Sequence, residues 1–291
     1  MAQLTWPAPV EPTRSRSSSV WRRLLRDRLT ALGLIFLLFL ALTAVFAPVI
    51  TGADPIAIDP ANKYRPLDGE FLLGADNLGR SIWARVVYGA RISLSLAGLA
   101  MVAILAIGVS VGAIAGVSGG WVDNTLMRLV DILLAFPSLI LALAIAGMLG
   151  PSLGNILIAL VAVGWVNYAR ITRGLVLSIK ERDYVEAARA LGVSPAAIAV
   201  RHILPNIISP LVVLASLDMG NLLLSISTLS FLGLGAPAPT PEWGRMLDDA
   251  RPFIQTQPQL MIFPGLAVFL TVLAFNLVGD GLRDALDPRQ I

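Results

Sequence analysis

Long apolar runs separated by short polar stretches dominate this chain. Charge-free or nearly charge-free stretches occupy 29–50, 92–122, 132–169, 202–241 and 252–279. A helix needs about 20 residues to cross the hydrocarbon core of a bilayer, so four of these stretches each hold one span. The stretch over 132–169 is too long for one and is interrupted by Gly150, Pro151 and Gly154, which predicts two helices and a tight turn. The pattern predicts an all-α, polytopic membrane protein with six transmembrane helices.

Composition places the chain outside the range of soluble domains, with 56% hydrophobic and 14% charged residues and a mean hydropathy of +0.76. Orientation follows from the basic residues. A cytoplasmic N-terminus puts 15 of the 22 Lys and Arg residues on the cytoplasmic side, as the positive-inside tendency requires. The expected segments are a cytoplasmic tail over 1–28, a first transmembrane helix over 29–50, an extracytoplasmic loop over 51–91, a five-helix core over 92–280 with a cytoplasmic loop at 181–205, and a cytoplasmic tail over 281–291. Residues 1–20, rich in Ser and Pro, are expected to be disordered. Arg14, Arg16, Arg22, Arg23, Arg26 and Arg28 flank the first span, which accounts for them without a nucleic-acid partner. This tail is too long, and its apolar run too extended, for a cleaved signal peptide.

Chemistry is sparse. With no Cys and one His, His202, the chain offers neither a disulfide framework nor a His/Cys metal site. Its two lysines, Lys63 and Lys180, do not follow a phosphate-binding glycine loop. No cofactor is therefore expected on this chain, and any ATP is expected to be hydrolysed by another polypeptide. Gly79 to Ser81 lacks the second glycine of a Gly-x-Ser-x-Gly nucleophile turn, so a hydrolase has little support.

One charged island interrupts the apolar runs: ERDYVEAARALGVSPAAIAVRHILP, 181–205. Tyr184, Val185, Ala188 and Leu191 share a helical stripe, with Glu181, Arg182 and Arg189 elsewhere around the helix. Gly192 stands where a helix ends in a left-handed residue, a conformation costing other residues roughly 1–2 kcal/mol. Ser194 and Pro195 supply an N-cap and a first-turn residue for a second short helix, expected to end at Leu204 because Pro205 cannot continue it.

Two short helices joined at a glycine resemble the Glu-Ala-Ala loop of bacterial ABC-importer permeases, which sits in a groove of the ATPase subunit. The matching residues are Glu186, Ala187, Ala188, Gly192, Leu204 and Pro205, whereas His202 occupies a usually aliphatic place. LGADNLGRSIWARVVYGARISL at 73–94, with Gly74, Asp76, Gly79, Arg80, Arg85, Gly89 and Arg91, is similar to the second ("C") membrane subunit of oligopeptide and dipeptide importers. Ala75 and Ser81 differ from the commonest residues there. LSFLGLGAPAPTPEWGRML at 229–247 and LTVLAFNLVGDGLRDALDPR at 270–289 match the same branch, so the likeness runs from about residue 25 onward. It implies a type I ABC importer permease fold in the bacterial plasma (inner) membrane. It also implies a sister permease completing a heterodimer, two ATPase subunits holding ATP and Mg, and an extracytoplasmic substrate-binding protein. Peptides are the substrate it implies, although similar members carry nickel chelates or glutathione.

Further candidates have both a functional and a plain reading. Asp218 is the sole ionisable residue between His202 and Pro241. At such depth a carboxylate is costly, so it should face the translocation pathway or pair with a neighbouring helix. Members of the branch often carry a Glu near the outer end of this span, where this chain has Ile226. Gly233, Gly235, Pro237, Pro239 and Pro241 predict a stiff outer return loop, and Trp243 suits a lipid–water interface. Pro237, Pro239 and Trp243 are the candidates for facing the binding protein, or they plug the outer helix ends. Gly108, Gly112, Gly116 and Gly120 line one helix face, for packing within this subunit or against its sister. Arg128 and Asp131 are expected to pair with each other or with the island. An ion-gradient-driven secondary transporter would instead show several midplane ionisable residues in two related halves, and a non-transporting scaffold would have no use for Asp218 or the island.

Overall fold

The structure, a computed structural model, describes residues 24–286. The arginines at 14–23, the expected disorder of 1–20 and Arg289 lie outside the described residues. Helix α1 (Arg28–Val45) starts where the Asp27 carboxylate accepts from the Thr30 N–H at 2.9 Å, satisfying one of the free donors of its first turn. Hydrogen bonding from Thr30 also holds the Asp27 carboxyl below its usual value. Helix α2 (Ile82–Ser118) has 37 residues, about 55 Å at 1.5 Å per residue. It begins well before the charge-free stretch at 92, so the loop that precedes it is shorter than 51–91.

The third span departs most from expectation. Helices α3 (Gly120–Leu134) and α4 (Ser138–Leu149) meet at an 86° bend, where Pro137 cannot donate to the preceding turn. Helices long and apolar enough to cross a membrane number five among the described residues, and six if the bent pair counts as one span. Helix α5 (Leu153–Lys180) then follows the tight turn at Gly150–Ser152, with the Ser152 hydroxyl as its N-cap.

The remaining elements are α6 (Asp183–Ala190), α7 (Leu204–Leu229), α8 (Trp243–Ala250) and α9 (Gln259–Leu286). The α2–α5 pair forms the centre of the bundle, and α1 packs outside against α9. Close approach of α2 and α5 depends on a stripe of small residues. A Cβ on Gly108, Gly112 or Gly116 would lie 2.5, 2.3 or 2.7 Å from Tyr168, Ala169 or Val176 respectively, so this face packs within the subunit. Gly120 has open space around it and lies past the break at Gly119.

Charges fasten α5 to α3 and to the C-terminal end of α2. The Arg173 side chain pairs with Asp123 at 2.5 Å, and Lys180 Nζ donates to the Val117 carbonyl at 3.0 Å, capping α2. Asp131 pairs with Arg170 of α5, not with Arg128 or the island. α3 packs against α5, which brings Arg170 to Asp131 from the neighbouring helix.

Candidate functional site

The island forms the predicted helix–glycine–helix unit, with one change at its far end. Gly192 adopts φ +80° with open space around it. The hydroxyl of Ser194 caps the next turn by accepting from the Ala197 N–H, and Pro195 occupies its first position. No helix end occurs at Leu204, however. A π-turn over Ala199–Ile203 carries the chain straight into α7. Widening the turn moves the backbone carbonyls out of register with the Pro205 ring, so the proline is tolerated inside a continuous rod.

Exposure divides the six island positions. Glu186, Ala187, Gly192 and Pro205 are exposed and Leu204 is half-buried, but Ala188 is buried. Ala188 packs with Val185, Ile198 and Ile203, the residues that clamp the two helices together. Of the expected stripe, Tyr184 is 47% and Leu191 85% exposed, an apolar tip left uncovered beside the glycine hinge. None of the ion pairs among the described residues involves Glu181, Arg182, Asp183, Glu186, Arg189 or Arg201.

Halfway along the bundle a cavity of about 220 Å³ opens between α2, α4, α5 and α7. Asp218 lies on its wall, with Oδ2 accepting the Tyr168 hydroxyl at 2.8 Å. Asn167, Asn221, Ser225 and Ser138 add neutral polar groups to a wall otherwise lined by aliphatic residues such as Ile104, Leu160 and Val163. Sequence reasoning identified Asp218 but missed these companions, because single Asn and Ser residues in apolar spans carry no spacing signal.

At the opposite end from the island, the loops form a locked cap. Asp76 and Arg80 are 6% and 3% exposed and pair at 2.6 Å. Arg85, equally buried, donates to the carbonyls of Pro55 and Pro239 at 3.2 Å each, stitching the first loop to the proline loop. Trp243 is fully buried. Its indole donates to the Val86 carbonyl at 2.9 Å and lies so close to Gly89 that a Cβ there would be 2.5 Å from the ring. Trp243 is thus neither an interfacial anchor nor a surface that a binding protein can touch. Its ring and N–H find both an apolar slot and a partner inside the chain. Glu242, also buried, accepts from Ser93 and from the backbone N–H groups of Gly244 and Arg245 at 2.8–3.2 Å. Burial pushes its carboxyl up despite those donors. Pro237 and Pro239 are exposed.

A family model described as the binding-protein-dependent transport system inner membrane component matches residues 108–291, and one described as the N-terminal TM domain of oligopeptide transport permease C matches 15–66. The chain is 44% identical to the dipeptide transport system permease protein of Alkalihalophilus pseudofirmus, over 93% of this chain and 90% of that one. It is 43% identical to the nickel transport system permease protein of Escherichia coli K12, over 89% and 94% of the two chains. With the glutathione transport system permease protein of Shigella dysenteriae it shares 42% identity over 96% and 93%. No group of three or more His, Cys, Asp or Glu residues able to hold a metal occurs among the described residues.

Proposed function

We propose that this chain, which belongs to the family of binding-protein-dependent transport system inner membrane components, forms half of the translocation pathway of an ATP-driven peptide importer. A sister permease forms the other half, two ATPase subunits hold ATP and Mg, and an extracytoplasmic binding protein delivers the substrate. The chain is a transport subunit and not an enzyme. Both termini and the island face the cytoplasm, and Pro237 and Pro239 face the binding protein.

One observation carries this reading: the island is an exposed, glycine-hinged helix pair joined without a break to the helix that bears Asp218. A nucleotide biases a transport equilibrium only through contacts that differ between its states. Displacement of the island by closing ATPase subunits is passed along α7, because helical hydrogen bonding continues from Pro195 through the π-turn into α7 without a break. Leu191 and Glu186 enter the ATPase groove, and Val185 and Ala188 keep the pair rigid. Asp218 then lies on the surface that alternates between outward and inward access. The similarity to permeases named for nickel and for glutathione keeps those substrates as the second reading.

A cross-link tests the arrangement. Because the chain has no native cysteine, Leu191→Cys introduces a single thiol at the island tip. In membranes holding the whole complex it should cross-link to the ATPase subunit. Cross-linking to lipid-embedded subunits only would overturn the docking assignment.

A further inference from the structure

The cavity wall carries one carboxylate, Asp218, amid neutral amides and hydroxyls. None of the ion pairs among the described residues includes it. Tyr168 occupies Oδ2, and Oδ1 accepts no hydrogen bond from the described residues. Asp218 is half-buried on the wall of this cavity, so Oδ1 is open to water or to a visiting donor, and a carboxylate at such depth marks a place where a positive group gains most.

We infer that the Asp218 cavity is a transient binding site for a primary ammonium group of the transported substrate. This rests on the reading of Asp218 as part of the translocation pathway. The geometry selects among cations. A guanidinium makes its strong paired contact through both carboxylate oxygens, and at Oδ2 it would share the oxygen with the Tyr168 hydroxyl, whereas an ammonium needs only the open Oδ1. No second carboxylate or imidazole stands with Asp218 on the cavity wall, and no group of three or more such side chains able to hold a metal occurs among the described residues. An ammonium is a compact charge with three donors, which Oδ1 and the side-chain oxygens of Asn167 and Asn221 can receive. At about 220 Å³, the cavity is smaller than the roughly 300 Å³ at which pockets for drug-sized ligands begin. It therefore takes the charged end of a peptide and not the whole of a long one. Ser225, half-buried on the same wall one helical turn beyond Asn221, offers a reporter position.

The test uses Ser225→Cys in the full complex in membranes, with the labelled chain detected by mass. Cationic and anionic methanethiosulfonate reagents are applied, each rate normalised to that with a free thiol. The cationic reagent should react at least tenfold faster, equivalent to about 1.4 kcal/mol, and Asp218→Asn should abolish the preference. Tyr168→Phe, which keeps the charge, should retain it. Dialanine should slow modification at concentrations where N-acetyl-dialanine does not. Equal rates for the two reagents, or equal protection by the two peptides, would overturn the ammonium site while leaving Asp218 in the pathway. No modification by either reagent would overturn the pathway reading itself.

Discussion

At the end of the bundle opposite the island, a set of charged residues between spans is turned inward and paired. Asp76 and Arg80 pair under near-complete burial, Arg85 bridges two loops, and Arg245 binds both Asp248 and Asp249. At the island end, a likewise charged segment leaves its ionic groups unpaired among the described residues and Leu191 85% exposed. Burial of a charge costs several kcal/mol unless it is paired, so the outer end has been built to hold one shape. Exposed, unpaired groups contribute almost nothing to the stability of the chain that carries them. The difference separates a structural cap from a surface kept for a partner, although both look alike as polar islands between spans.

Substitutions can break this contrast in a graded order. The largest effect is expected at the cap. Trp243→Ala empties a fully buried slot and should cost about 3–5 kcal/mol, read as a fall in the thermal stability and abundance of the membrane-inserted chain. Asp76→Ala leaves Arg80 buried without its partner and should cost about 3 kcal/mol, at the low end for a broken buried pair. Leu191→Asp and Glu186→Lys at the island should change stability by less than about 0.5 kcal/mol. Both should nonetheless lower peptide uptake and retention of the ATPase subunits, Glu186→Lys by reversing a charge at a desolvated contact. An unstable Leu191→Asp chain would erase the distinction between the two ends.

The smallest effect is one of pH. Burial raises the Glu242 carboxyl above its ordinary value of 4.5, so the folded cap favours the protonated form. Its stabilising contribution is full below 4.5 and is lost as pH rises through the raised value. The thermal midpoint of the purified complex should fall slightly across that window. Glu242→Gln should flatten this dependence, which a pH series of melting curves checks.

Most of the fold was legible in the apolar runs, because a bilayer requires stretches of fixed length whatever surrounds them. The island's hinge and caps were legible too, since Gly192, Ser194 and Pro195 act on their own neighbours. Long-range packing was not. Nothing near Trp243 announces the slot beside Gly89, more than 150 positions earlier, and an indole before a glycine reads equally well as an interfacial anchor. Spacing suggests Arg128 as the partner of Asp131, but α5 supplies Arg170 instead, a contact between helices that sequence spacing does not show. Pro205 was taken as a stop, and a π-turn absorbed it by changing register. At the cavity, Asp218 was visible as an isolated charge, whereas Tyr168 and Asn167 reach it from another helix.

The central claim is that the island's hinge transmits ATP-driven motion, and Gly192→Val tests it most directly. Its φ of +80° forbids a β-branched residue without strain, and no span is touched. Peptide uptake and ATPase co-purification are measured from the same membranes, at matched abundance of the chain. The account predicts normal insertion with uptake lost and the ATPase loosened or uncoupled. Normal uptake at normal abundance would contradict it.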